Sequence, residues 1–260
     1  MKYMILSKKS ILVILLIPLI LIAAIFVTIK VNTTKPVSTS EKLLPIYRVQ
    51  TDKNQVALTF NVAWEADEVE LVLSILENYN AKCTFFVLGE FAEKNPDAIK
   101  MISESGHEIG NHSDSHPDMT TLSPTKIADE INKCDELIAQ SGTNGVKLFR
   151  APSGAYSNSV ISTANKLGHS VIQWDIDSRD WKTDSTVNSI YKNCTATTTP
   201  GSIILFHIGT KNGFTPEALP LILDNLSSNG FEFVKVSDII HPTDPDSSYI
   251  DINGEQHLCR

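Results

Sequence analysis

Cysteine is scarce and scattered. Cys83, Cys134, Cys194 and Cys259 form no C-x-x-C pair, which excludes a zinc ribbon and a small disulfide framework. Cys83 lies in an apolar, strand-like run and reads as a small core residue. Basic residues are short as well: 22 Lys and Arg against 30 Asp and Glu leave a net charge of −8. No basic cluster stands out and no aromatics interleave with bases, so no nucleic-acid partner is expected. No G-x-G-x-x-G follows the first strand-like run, which leaves a dinucleotide fold without support. Charge is missing altogether from Ile11 to Ile29, a run of 19 residues.

That run is long enough to span a bilayer. Lys2, Lys8 and Lys9 precede it, which favours a cytoplasmic N-terminus and an exported remainder. A cleaved signal peptide is the competing reading; against it stand the long apolar core and the poor cleavage site Ala23-Ala24-Ile25. The chain divides into a short cytoplasmic segment (1–10), a transmembrane anchor (11–30), a linker rich in Thr, Ser and Pro (31–50), one main domain (51–241) and a tail (242–260). With Pro242, Asp244, Pro245 and Asp246, the tail reads as a loose surface extension.

From Gln55 onward, apolar runs alternate with amphipathic stretches. Strands are expected at 56–60, 83–88, 108–110, 146–149, 170–176, 202–206 and 231–236. Between them, Val69, Val72, Leu73 and Leu76 mark one helical face, and helices are expected at 91–105, 123–140, 159–167, 185–196 and 216–228. Ser123 reads as an N-cap with Pro124 at the first helical position. Repeated strand–helix units predict an α/β fold with a mostly parallel sheet. Their number fits a closed (β/α) barrel slightly smaller than the eight-unit standard, with a doubly wound open sheet as the alternative.

The chain's chemistry centres on Gly110-Asn111-His112-Ser113-Asp114-Ser115-His116-Pro117. Two imidazoles four residues apart can reach one metal ion, and Gly110, Asn111, Ser113 and Pro117 place them on a loop rather than inside a helix. In parallel barrels the site lies at the carboxyl ends of the strands. Asn61 follows the first strand, His112 and His116 the third, and Arg150-Ala151-Pro152-Ser153 the fourth. Asp177-Ser178-Arg179-Asp180-Trp181 follows the fifth and His207 the sixth. Each has a bland reading alone, Arg150 as a surface ion pair or His207 as a core histidine. Five of seven strands delivering such groups to one rim make those readings untenable together.

These residues resemble the signature motifs of the polysaccharide deacetylases, the NodB-homology family or carbohydrate esterase family 4. The likeness covers about Gln55 to Ile240. His112 to His116 is similar to the metal-binding His-(Ser/Thr)-x-x-His motif. Arg150-Ala151-Pro152 resembles Arg-x-Pro, Asp177 to Trp181 resembles Asp-x-x-Asp-Trp, and Leu205-Phe206-His207 resembles Leu-x-His. Trp64 and the Ser-Gly-x-Tyr after the third motif look most like the sporulation-type enzymes of Gram-positive bacteria. The resemblance implies a (β/α)7 barrel, a divalent metal (zinc, cobalt or similar) on His112 and His116, and de-N-acetylation of amino sugars in a cell-wall polysaccharide. It implies His207 as general acid, oriented by Asp180, and Arg150 beside the base. The Ser153 N–H would meet the oxyanion, with Pro152, Trp181 and Leu205 lining the pocket. Asp177 reads as structural.

The first motif departs. Thr59-Phe60-Asn61-Val62 stands where the family carries a base aspartate and a metal-ligand aspartate. An amide cannot take a proton from water. Three readings follow: a slowed enzyme, a substitute base among Glu65, Asp67 and Asp114, or a non-catalytic sugar-binding descendant at the cell surface.

Overall fold

A computed structural model describes residues 42–63, 65–211, 213–242 and 248–259. The expected anchor, most of the expected linker and Trp64 lie outside the described residues. No helix of the described residues is long and apolar enough to cross a membrane.

The first long strand is β2 (Gln55–Val62), entered from a short β1 (Arg48–Val49). Helix α1 (Val69–Asn78) buries Val69, Val72, Leu73 and Leu76, the face its spacing predicts. Strand β3 (Thr84–Val87) follows, then α2 (Gly89–Lys94) and α3 (Pro96–Glu104). The sequence reads those two helices as one; Pro96, which lacks an N–H, opens a second helix instead of continuing the first. Strand β4 (Glu108–Asn111) leads to the histidine loop and α4 (Pro124–Gln140), whose Ser123 side chain accepts the Lys126 N–H as expected of a cap. Then come β5 (Leu148–Phe149), α5 (Asn158–Lys166), β6 (Ser170–Val171), β7 (Ile176–Asp177), α6 (Val187–Thr195), β8 (Ile203–Ile208), α7 (Thr215–Ser228), β9 (Glu232–Val234) and α8 (Val236–Ile239).

Seven strands run in the order β6-β5-β4-β3-β2-β8-β7 and every neighbouring pair is parallel. This is the expected (β/α)7 barrel, in a distorted form, and not a doubly wound sheet. The seam falls inside the single strand expected at 170–176. There the Asp175 carboxylate takes the Ile203 N–H at 2.8 Å and the Ser202 hydroxyl at 2.9 Å, and Gln173 N–H turns to Ile46 O at 2.7 Å. A side chain and a neighbouring segment thus satisfy groups that a continuous strand would pair.

Register explains how the interior is shared. Phe60 pairs with Phe85 and with Phe206, and the three rings stack at 5.0 and 5.2 Å within the cluster that includes Leu76 and Ile222 of the helices. One residue further along, His207, Asn61, Phe86 and Gly110 share a level on the opposite face. Gly110 leaves room there: a Cβ would lie 2.8 Å from the Phe86 ring. One face of the sheet therefore holds the helices, and the other carries the chemistry.

The tail differs from its reading as a loose extension. Strands β10 (Ser248–Ile250) and β11 (Glu255–Leu258) form a small sheet with β1, so Arg48 and Val49 belong to the folded body and not to a linker. Gln256 is fully buried, its amide exchanging hydrogen bonds of 2.8 and 2.9 Å with the His241 backbone. Gly254, at φ 79°, packs so closely on Tyr47 that a Cβ would meet its ring at 2.2 Å. Paired backbone and a satisfied buried amide outweigh the turn-rich composition on which the loose reading rested.

Candidate active site

A cavity of about 330 Å³ opens at the carboxyl ends of the strands. Asn61, Ala63, His112, His116, Ser153, Trp174, Trp181, Leu205 and His207 line it. Of the expected residues, Arg150 and Asp180 stand just behind this lining, each fully buried. Pro152 is corrected: it is buried at the start of a 3-10 turn and does not line the cavity. Trp174 and Ala63 are additions. Trp174 escapes sequence reading because it looks like the middle of a buried strand, whereas the seam turns it to the cavity.

The two metal-ligand candidates are close, with ring centroids 5.3 Å apart. His112 Nδ1 lies 2.7 Å from the Arg150 carbonyl. A carbonyl only accepts, so Nδ1 carries the proton and Nε2 keeps a free lone pair, the arrangement typical of a metal-binding imidazole. Burial pulls the His112 pKa down to about 3 and lowers that of His116; both rings are neutral near pH 7 and able to donate. Val62 is buried among apolar side chains and brings no third ligand. The donor set fits a divalent ion of the zinc type, held by two protein nitrogens with the remaining positions open to water or substrate.

Across the cavity, His207 Nδ1 lies 2.8 Å from Asp180 Oδ1. The other oxygen of Asp180 accepts the His207 N–H at 2.7 Å and the Thr215 hydroxyl at 3.0 Å. Held at three points, the carboxylate fixes the ring and leaves Nε2 for the cavity. Asp177 does not line the cavity, and its Oδ1 accepts the Arg179 N–H at 2.8 Å.

Asn61 meets Arg150. Its Oδ1 accepts the guanidinium N–H at 3.0 Å, and further donors reach the Ile172 and Gln173 carbonyls at 3.4 and 3.0 Å. The guanidinium sits 4.1 Å over the Phe86 ring, whose own place beside the strand depends on the missing Cβ of Gly110. Burial lowers its pKa to about 9, so it stays charged, and it forms no salt bridge among the described residues. The expected substitute bases are corrected. Glu65 and Asp67 are exposed, Asp114 packs against Gly89, and no carboxylate among the described residues lines the cavity.

Strain gathers at this rim. Among the described residues, five other than glycine have positive φ, and four belong to it: Ser113 (72°), His116 (60°), Ser153 (54°) and Arg179 (57°). Each costs of order 1–2 kcal/mol and persists where surrounding contacts over-determine it.

Fold and site together define a barrel hydrolase whose cavity brings a pair of histidines opposite a hydrogen-bonded His–Asp pair. The chain belongs to the polysaccharide deacetylase family, whose family model matches residues 48–172. It is 33% identical over 202 residues to a peptidoglycan-N-acetylglucosamine deacetylase of Bacillus cereus, covering 76% of this chain and 73% of that one. It is 32% identical to the uncharacterized protein YlxY of Bacillus subtilis, over 76% of this chain and 61% of that protein's length. Among solved structures it resembles a carbohydrate esterase family 4 pseudoenzyme from Bacillus anthracis, with TM-score 0.71 and 32% identity, covering 75% of this chain and 68% of that one. A mutant of that pseudoenzyme is described as having restored enzymatic activity.

Proposed function

We propose that this protein hydrolyses the N-acetyl amide of amino sugars in a peptidoglycan-type polysaccharide, at a rate held down by Asn61. The observation that carries the reading is a single cavity shared by His112, His116 and His207, with Asn61 where the family's base belongs. Relatives that deacetylate peptidoglycan support the substrate class. We place the domain outside the cytoplasm, where such a polymer lies and to which the basic residues ahead of the 11–29 run direct it.

A divalent ion on His112 and His116 supplies carbonyl polarisation and a water of lowered pKa. Trp174, Trp181 and Leu205 give the acetyl methyl group an apolar wall. Ser153 offers its backbone N–H to the developing oxyanion. His207, oriented by Asp180, protonates the departing sugar amine at Nε2, and Asp180 balances the charge of the ring. Asn61 only orients, because its amide cannot hold the proton that the attacking water must lose, and that proton passes to bulk water instead. Loss of a general base typically slows such a step about 10²–10⁴-fold.

The second reading is a cell-surface carbohydrate-binding protein that has set catalysis aside, favoured by the carboxylate-free cavity and the resemblance to a pseudoenzyme. Acetate release from N-acetylglucosamine oligomers and peptidoglycan fragments separates the two, with and without added zinc or cobalt. We expect slow, metal-dependent release by the natural chain and at least a ~10²-fold gain for Asn61→Asp. Release by Asn61→Asp alone would establish the binding reading. No release by either, with no metal bound, would remove both.

A further inference from the structure

We propose that Glu130, on helix α4, is the positioning residue of the histidine centre: its carboxylate is the template on which the loop from Ser113 to His116 folds. The inference rests on the two-histidine reading of the site and adds a residue that no family motif contains. Oε2 accepts the backbone N–H groups of Asp114 at 3.1 Å and Ser115 at 2.9 Å, and Oε1 accepts the Ser115 hydroxyl at 2.9 Å. Successive N–H groups converging on one anion, between left-handed Ser113 and His116, form a nest in which a carboxylate takes the anion's place. Such charge-assisted bonds are roughly twice as strong as neutral ones.

The same helix braces the loop a second time. Asn111 Oδ1 accepts the Ser113 N–H at 2.9 Å, and its Nδ2 donates to Asp135 Oδ1 and to the Ile131 carbonyl, both at 2.8 Å. The Ser113 hydroxyl closes the turn by accepting the His116 N–H at 3.2 Å. Every residue between the two histidines is therefore tied, directly or through Asn111, to α4. A centre that has lost its carboxylate ligand depends on this bracing more than one with three ligands, because two donors must already stand in place when the ion arrives.

The test compares the whole chain with Glu130→Ala, Glu130→Gln and, as a control on the same helix, Asp129→Ala, an exposed carboxylate that pairs with Lys126. Zinc affinity is measured by chelator competition, amide exchange at Asp114 and Ser115 is measured without metal, and thermal melting checks the fold. We expect Glu130→Ala to bind zinc about 10–100-fold more weakly and to exchange faster at both amides. Glu130→Gln, which keeps one acceptor oxygen, should fall between, and Asp129→Ala should match the natural chain. Zinc affinity within twofold of the natural chain in Glu130→Ala, or unchanged exchange there, overturns the proposal. If the natural chain binds no zinc, the two-histidine reading fails, and the exchange data alone decide the role of Glu130.

Discussion

Arg150 carries its charge where no carboxylate among the described residues answers it. Removing one partner from a buried ion pair typically costs about 3–5 kcal/mol, because the remaining charge is desolvated and unpaired. Here Asn61, two carbonyls and the Phe86 ring share that burden. Asn61→Asp adds the missing counter-ion within 3.0 Å of the guanidinium, at the cost of burying a carboxylate. We expect the pairing to win by roughly 1–3 kcal/mol at pH 7, read as a higher denaturant midpoint at unchanged m. The gain should fade in acid as the new carboxyl protonates. A lower midpoint would show that desolvation dominates, and would make Asn61 a stabilising exchange. At this scale the site was largely legible in the sequence, because its reactive side chains follow strands and a parallel barrel points all those ends one way. What the sequence hid was contact at a distance: Glu130 reads as an ordinary polar helix residue, and its role exists only once α4 lies against the loop.

Among the elements, β3 and β4 are joined by a buried histidine that has no part in the site. His107 Nδ1 accepts the Cys83 N–H at 3.2 Å, and its ring packs edge-on against Phe85 at 5.3 Å. Burial pulls its pKa down from 6.5 to about 4. The unfolded chain therefore takes a proton before the folded one does, so stability falls as pH drops from about 6.5 to 4. One pKa unit is worth about 1.36 kcal/mol, giving a loss of at most about 3 kcal/mol over that window. Denaturant titrations at pH 7, 5.5 and 4.5 should show the decline, and His107→Gln should flatten it. An equal slope in that variant would assign the acid sensitivity elsewhere. Elements were legible wherever a periodic face and a cap agreed, as in α4 with Ser123 and Pro124. They were misread where side chains replace backbone pairing, as Asp175 does at the seam between β6 and β7.

On the scale of the whole molecule, the segment from Ile46 to Arg48 bridges the barrel's open seam, and the tail braces that segment. Arg48 joins β11 to the rest: its Nε lies 3.1 Å from Glu255, its Nη1 3.8 Å from Asp175, and its Nη2 donates to Thr199 at 2.8 Å. Tyr47 and Gln50 donate backbone N–H groups to Gly254 and Gln256, both at 2.8 Å. These contacts hold Ile46 in place, whose carbonyl accepts the Gln173 N–H next to Trp174 in the cavity wall. A chain ending at Pro242 loses the small sheet and leaves Arg48 without Glu255. We expect a cost of about 2–3 kcal/mol, or a Tm lower by roughly 5–10 °C for a domain of this size. The loosening should travel from β1 to the cavity, so zinc and substrate analogues should protect the truncated chain less than the full one. Because β1 remains covalently in place, the barrel itself should survive with its far-ultraviolet dichroism nearly intact. An unchanged Tm would instead mean that the small sheet contributes nothing to the barrel, leaving the tail the dispensable extension that its prolines and aspartates suggest.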